Sequence, residues 1–139
     1  MRSDLLFSMY LTVRKLGGEV TQEFANAGYD LLPEHFMILT FLSIKTQMNQ
    51  NDIGRDTFKS KSTISRAIDK LVKSGYITRN ACTNNRRTNC VELTEAGKSV
   101  YKKLLPIFLS IKKNALKGIP QNELDTCLRV IKKMISNTD

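Results

Sequence analysis

The sequence predicts a mainly α-helical domain with one small β-hairpin, in the order α-α-α-α-β-β-α-α. Three observations carry this expectation. Apolar side chains recur at intervals of three and four along most of the chain, the period of a helix face. Only residues 76–93 alternate with the period of strands, and they enclose a polar loop. Positive charge is concentrated around that hairpin: residues 55–91 carry nine basic and two acidic side chains, +7 of a net +9. Residues 1–54 sum to −2 and residues 92–139 to +4.

The first helix is read from Leu6, Met9, Val13, Leu16 and Val20, a 3-4-3-4 seam suited to packing on another helix. Gly17-Gly18 interrupts it, and each glycine costs about 1 kcal/mol against alanine in a helix interior, so a kink or local break is expected there. Gly28 and Asp30 end the segment. Pro33 opens the second helix, where its missing N–H costs nothing. Its apolar positions, Phe36, Met37, Leu39, Phe41, Leu42 and Ile44, surround the axis and place it deep in the core. Residues 49–57 form a short third helix capped by Asn49. Ser60 caps the fourth, with Ile64, Ala67, Ile68, Leu71 and Val72 as its buried positions, and Gly75 supplies the left-handed residue that ends it.

Residues 76–82 and 89–93 are expected as strands around the loop 83–88, with Ile77, Val91 and Leu93 facing the core. Thr94 caps a fifth helix running to about residue 117, with Val100, Leu104, Phe108 and Ile111 on one stripe and a bend at Pro106. Pro120 starts a sixth, with Leu124, Leu128, Ile131 and Ile135 at helical spacing.

Composition excludes several classes. At 139 residues and 41% hydrophobic, the chain is one domain with a real core,. The longest apolar run, residues 36–44, is too short to span a bilayer, so no membrane association is expected. The first eighteen residues lack an apolar signal core and cleavage site and are read as part of the mature protein. Three cysteines, without a CxxC, fit a reducing cytoplasm and argue against a disulfide framework,. One histidine, His35, with scattered cysteines excludes most zinc sites,. No GxSxG, HExxH, phosphate-binding loop or dinucleotide fingerprint occurs. No enzymatic activity and no cofactor are expected.

Two short helices, the second beginning Ser-Lys-Ser-Thr, followed by a β-hairpin, describe a winged helix-turn-helix. Small hydroxyls and Lys at a helix N-terminus reach base edges and phosphates without bulk, and the helix dipole adds to the attraction. Arginines at the loop tip can enter an adjacent minor groove. The candidate DNA-binding residues are therefore Lys59, Ser60, Lys61, Ser62, Thr63, Ser65 and Arg66 on the helix, and Arg86 and Arg87 on the wing. For the helix residues the plain alternative is a capped, solvated helix start; for the arginines it is a solvated loop. Lys70 and Lys73 lie further along and are surface charges or phosphate contacts rather than base readers.

The run MNQNDIGRDTFKSKSTISRAIDKLVKSGYITRNACTNNRRTNCVELTEAG resembles the core of the MarR family of transcriptional regulators. The most specific parts are LVKSGYITR, then NNRR, then VELTEAG. The likeness covers residues 31 to about 97 well, while the flanking helices agree in number and order. It implies a homodimer held by the first, fifth and sixth helices, binding a palindromic operator in double-stranded DNA and released by a small ligand or by oxidation. Residues 1–30 and 95–139 would then be dimerisation helices, and 31–94 the DNA-binding part. The family's wing motif is Asp-x-Arg with Leu-Thr six residues beyond the Arg. Arg87 takes the Arg position and Leu93-Thr94 follow, but Asn85 replaces the Asp. Thr57-Phe58-Lys59 replaces the usual Leu-Gly-Val turn, and Leu32 replaces a Thr cap.

Phe36 and Thr40, one helical turn apart, are the candidate lining of an effector cleft. An aromatic ring beside a hydroxyl suits an aromatic acid or phenol. The plain alternative is a Thr bonded back to a carbonyl one turn earlier. His35 reads as a structural histidine. Cys82 and Cys90 share a parity opposite to Ile77, Val91 and Leu93, so both point off the core face, either as a redox pair or as two partly exposed small side chains. Cys127 reads as packing. Two other functions stay open: an architectural or counter-silencing DNA binder of low specificity, and a protein–protein adaptor that keeps the fold.

Overall fold

Asp4 starts the first helix, its Oδ1 accepting from the Phe7 N–H at 2.9 Å, and α1 then runs unbroken over Leu5–Asn26. The structure, a computed structural model, describes residues 3–83 and 85–139, and of residues 85–88 the backbone. The expected break at Gly17-Gly18 does not occur. Gly17 lies where a Cβ would sit 3.7 Å from the Pro33 ring, and Val20 and Phe24 are buried one turn on. Tertiary packing outweighs the glycines' propensity cost.

Pro33 opens α2, Pro33–Ile44. His35, Phe36, Ile38, Leu39 and Leu42 are buried, whereas Ile44 is 76% exposed, against expectation. The chain then forms β1, Met48–Asn49, a two-residue strand that the sequence reading does not contain. Asn49 also caps α3, Gln50–Thr57, accepting from the Asn51 N–H at 2.7 Å. Ser60 caps α4, Lys61–Lys73. Ile64, Ala67, Ile68 and Leu71 are buried as expected, but Val72 lies at the rim and is exposed. Gly75 has φ +82° and ends the helix.

Strands β2, Ile77–Cys82, and β3, Asn85–Leu93, form the antiparallel hairpin, and β1 adds to β3, giving the order β1-β3-β2. β3 thus begins four residues earlier than expected, leaving a shorter loop, and the register shifts at Ala81/Cys82. Thr94 joins wing to helix: its Oγ1 accepts from the Gly97 N–H at 3.0 Å and donates to the Gly75 carbonyl at 2.6 Å. Helix α5, Glu95–Ala115, continues through Pro106, and α6 spans Gln121–Ser136. The core gathers Phe24, Ile38, Leu39, Ile53, Ile68, Leu71, Val91 and Leu104 between α1, α2, α4, the sheet and α5. Helix α6 buries none of its residues within the chain, and Cys127 on it is exposed rather than packed. Among the described residues no helix is long and apolar enough to cross a membrane.

Candidate nucleic-acid interface and adjoining cleft

The fourth helix buries one face and presents the other. Ile64, Ala67, Ile68 and Leu71 face the core, so Ser62, Ser65, Arg66 and Asp69 occupy the outer side by helical period. The hydroxyls at the start of α4 are engaged with one another. Ser60 Oγ accepts from the Thr63 N–H at 3.2 Å, donates to Thr63 Oγ1 at 2.8 Å and lies 3.2 Å from Ser62 Oγ. Ser60 is therefore a helix cap, the plainer of the two sequence readings. Lys59, Ser60, Lys61, Ser62 and Arg66 are exposed, while Thr63 and Ser65 are half-buried.

Ion pairing divides the basic cluster. Arg55 meets Asp52 at 2.9 Å and Asp56 at 3.9 Å, Lys59 meets Glu34 at 4.0 Å, and Lys70 meets Asp30 at 3.3 Å. Arg79 binds Asp69 at 2.7 Å, clamping β2 to α4. Its partner lies on α4, ten residues upstream, beyond the reach of local sequence pattern. Lys61, Arg66 and Lys73 have no acidic partner among the described residues. Their charge is what α4 offers a polyanion. The side chains of Arg86 and Arg87, the expected wing contacts, lie outside the described residues, as does that of Asn85.

Cys82 and Cys90 are joined by a disulfide, their Cα atoms 4.9 Å apart. Of the two sequence readings, a bonded pair is therefore present and two partly exposed side chains are not, and the expectation against disulfides is corrected. Both are buried, although their parity does place them off the face of Ile77 and Val91. In the paired register Cys90 opposes Asn80, so Cys82 is its diagonal neighbour two residues on, within reach for a bridge. Segment 47–49 runs alongside β3 at the sheet edge. Asn49 opposes Cys90, and the Gln47 amide donates to Glu92 at 2.9 Å and accepts from Thr83 Oγ1 at 3.3 Å. These contacts are too distant in sequence for parity to reveal.

Behind the helix-turn-helix lies an apolar cavity of about 260 Å³ lined by Val20, Phe36, Met37, Thr40, Tyr101 and Phe108 among others. The Phe36 ring lies 5.4 Å from Phe24, 5.5 Å from Tyr101 and 5.0 Å from Phe108. Phe36 and Thr40 thus border one cavity. The Thr40 hydroxyl donates to the Phe36 carbonyl at 2.8 Å, the plainer reading of that residue. Beside them His35 is buried, and its Nδ1 accepts from the Leu32 N–H at 2.9 Å. Burial holds its pKa below the ordinary 6.5; Lys70 adds to the depression, and Glu34 and Asp30 oppose it. It is a structural histidine. Among the described residues no cluster of His, Cys, Asp or Glu could hold a metal.

Comparison with known proteins agrees with this architecture. Residues 29–88 match the model described as MarR family. The chain is 26% identical over 137 residues to the HTH-type transcriptional regulator SarZ of Staphylococcus haemolyticus, covering 99% of this chain and 90% of that protein. A MarR-family transcriptional regulator from Silicibacter pomeroyi has a similar structure, with TM-score 0.76, 26% identity, and 96% and 90% of the two chains covered. The S. aureus MepR–DNA complex shares the fold with TM-score 0.85 at 18% identity, covering 96% and 98%. An outward basic helix, a hairpin beside it and these likenesses make the chain similar to the MarR family of winged helix-turn-helix regulators, by sequence over residues 29–88 and by fold over nearly its whole length.

Proposed function

We propose that the chain is a cytoplasmic, ligand-responsive repressor that binds a palindromic operator as a homodimer. The observation that carries DNA reading is the outer face of α4, where Lys61 and Arg66 stand without acidic partners among the described residues, beside exposed Ser62. That side-chain set, at the leading end of a helix, suits the major groove. Arg86 and Arg87 extend the same charge onto the wing.

Dimerisation through residues 1–30 and 95–139 is supported by apolar surface that one chain leaves uncovered. Helix α6 buries nothing, Leu128 is 52% exposed, and on α1 Val13 is 72% exposed. A two-fold mate would cover these faces and set two copies of α4 against successive major grooves.

The cavity at Phe36 and Thr40 supports an effector of a particular kind. Its lining contains no charged side chain, and the Thr40 hydrogen is already donated. A buried carboxylate would lack a counter-charge there, so a neutral aromatic such as a phenol fits better than an aromatic acid. Selection of bound sites from random DNA, followed by titration with and without substituted phenols, tests the whole reading. A palindrome released by phenols and not by benzoate is the expected result. Recovery of unrelated sequences with a specificity ratio near one would favour an architectural DNA binder instead.

A further inference from the structure

We propose that Phe58 is a DNA-contacting residue, its ring packing against a thymine methyl in the major groove just ahead of α4. The inference rests on the DNA-binding reading and extends it to a residue outside the basic set. Phe58 combines two unfavourable features. Its φ of 57° and ψ of 29° put it in the left-handed region, and it is the one non-glycine residue with positive φ among those described. A bulky side chain is a genuine outlier in that region. It is also 77% exposed, the highest value among the exposed large apolar side chains.

The turn itself does not require the ring. Phe58 N–H donates to the Arg55 carbonyl at 3.3 Å and Lys59 N–H to the Gly54 carbonyl at 3.1 Å. These are backbone bonds that Gly or Asn would make with less strain. A strained residue that local structure does not need points to a role outside the fold.

Its surroundings say which role. Phe58 borders an open groove of about 400 Å³ between α3 and α4, whose lining includes Gln50, Asn51, Arg55, Lys59 and Lys61 and no acidic side chain. A protein-binding patch would be contiguous and apolar. A lone ring among amides, beside Lys61, which has no acidic partner among the described residues, instead matches a duplex edge, where a phosphate takes the free cation while Arg55 and Lys59 stay ion-paired. In the major groove the thymine C5-methyl is the apolar group available to a Phe. The uncovered apolar faces that suit a second copy of the chain lie on other elements, α1, α5 and α6.

Phe58→Asn and Phe58→Gly keep the left-handed turn and remove the ring. The experiment compares them with the parent in melting temperature, mass in solution, and affinity for the selected operator, with each thymine replaced in turn by deoxyuridine in both half-sites. The expected result is an unchanged or raised Tm for Phe58→Asn, retained dimer mass, and about tenfold weaker operator binding. Deoxyuridine at one thymine per half-site should weaken the parent similarly and leave both variants unaffected. Lys61→Ala should bind more weakly yet still sense that methyl. Parent-like affinity in both variants, a parent indifferent to every uracil, or a variant that loses Tm or dimer mass would each overturn the inference. A parent that selects no DNA at all overturns the operator reading itself, and this inference with it.

Discussion

Among the described residues, His35 is the one titratable side chain in the core whose charge state is set by the fold. Its neutral ring accepts the Leu32 N–H, and burial holds its pKa below 6.5. The unfolded chain therefore binds a proton near pH 6.5 that the folded chain resists. The stability this residue contributes is whole above the unfolded value and is lost as pH falls through and below it. Glutamine at the same third helical position can also serve a reciprocal cap. Thermal melts should show His35→Gln losing less Tm than the parent between about pH 7.5 and about pH 5; equal losses would assign the acid sensitivity to other groups. Gly97 gives a second single-residue test. A Cβ there would overlap the Tyr76 carbonyl oxygen and lie 3.2 Å from Leu93 Cδ2. Gly97→Ala is expected to cost about 3 kcal/mol or more, because the backbone at that junction cannot move aside. Denaturant titration reads the loss directly.

The wing stem is held from three sides. Arg79 ties β2 to Asp69 of α4, β1 pairs with β3, and Cys82 is bridged to Cys90. The bridge closes a loop of sequence separation 8, for which the chain-entropy estimate is about 2–3 kcal/mol. In the unfolded oxidised chain, maleimide should label only Cys127, and reduction should add two reactive thiols. Cys90→Ser should unfold at lower denaturant than the oxidised parent. Since the bridge joins strands that already pair around it, operator affinity should change by less than about tenfold between oxidised and reduced protein. A larger change that disappears in Cys90→Ser would make the wing a redox switch.

The homodimer proposed above would cover apolar surface that a single chain leaves exposed on α1 and α6. Light scattering should give about twice the 15.8 kDa chain mass. Leu128→Glu, which alters no residue buried within one chain, should halve it and lower Tm. In that proposed dimer every electrostatic effect on DNA would be doubled. Arg66→Ala should lower the slope of log affinity against log salt by about 2, one per subunit. Arg87→Ala should do likewise and flatten any preference for A·T-rich flanks. Lys73→Ala, at the far end of α4, should change affinity little. An Arg66→Ala slope equal to the parent's would remove the outer face of α4 from the interface.

Asn49, Ser60, Thr94 and Gly75 all mark element ends where local chemistry predicts them, because a cap acts within one turn of its own backbone. The buried face of α4 was legible for a similar reason: a period of 3.6 needs only thirteen residues to declare itself,. What escaped depended on partners far along the chain. Two residues of β1 carry no period, and they pair only once β3 lies beside them. Gly17-Gly18 remains helical because α1 is packed, a gain that propensity does not contain. Parity told the face of Cys82 and Cys90 but not that segment 47–49 pairs beside Cys90. Nothing in the local sequence pairs Arg79 with Asp69 or Lys70 with Asp30, which the fold sets 2.7 Å and 3.3 Å apart. Composition put the positive charge in the right segment; long-range ion pairing selected which of those cations stay available, since Coulomb attraction depends on distance in space and not along the chain.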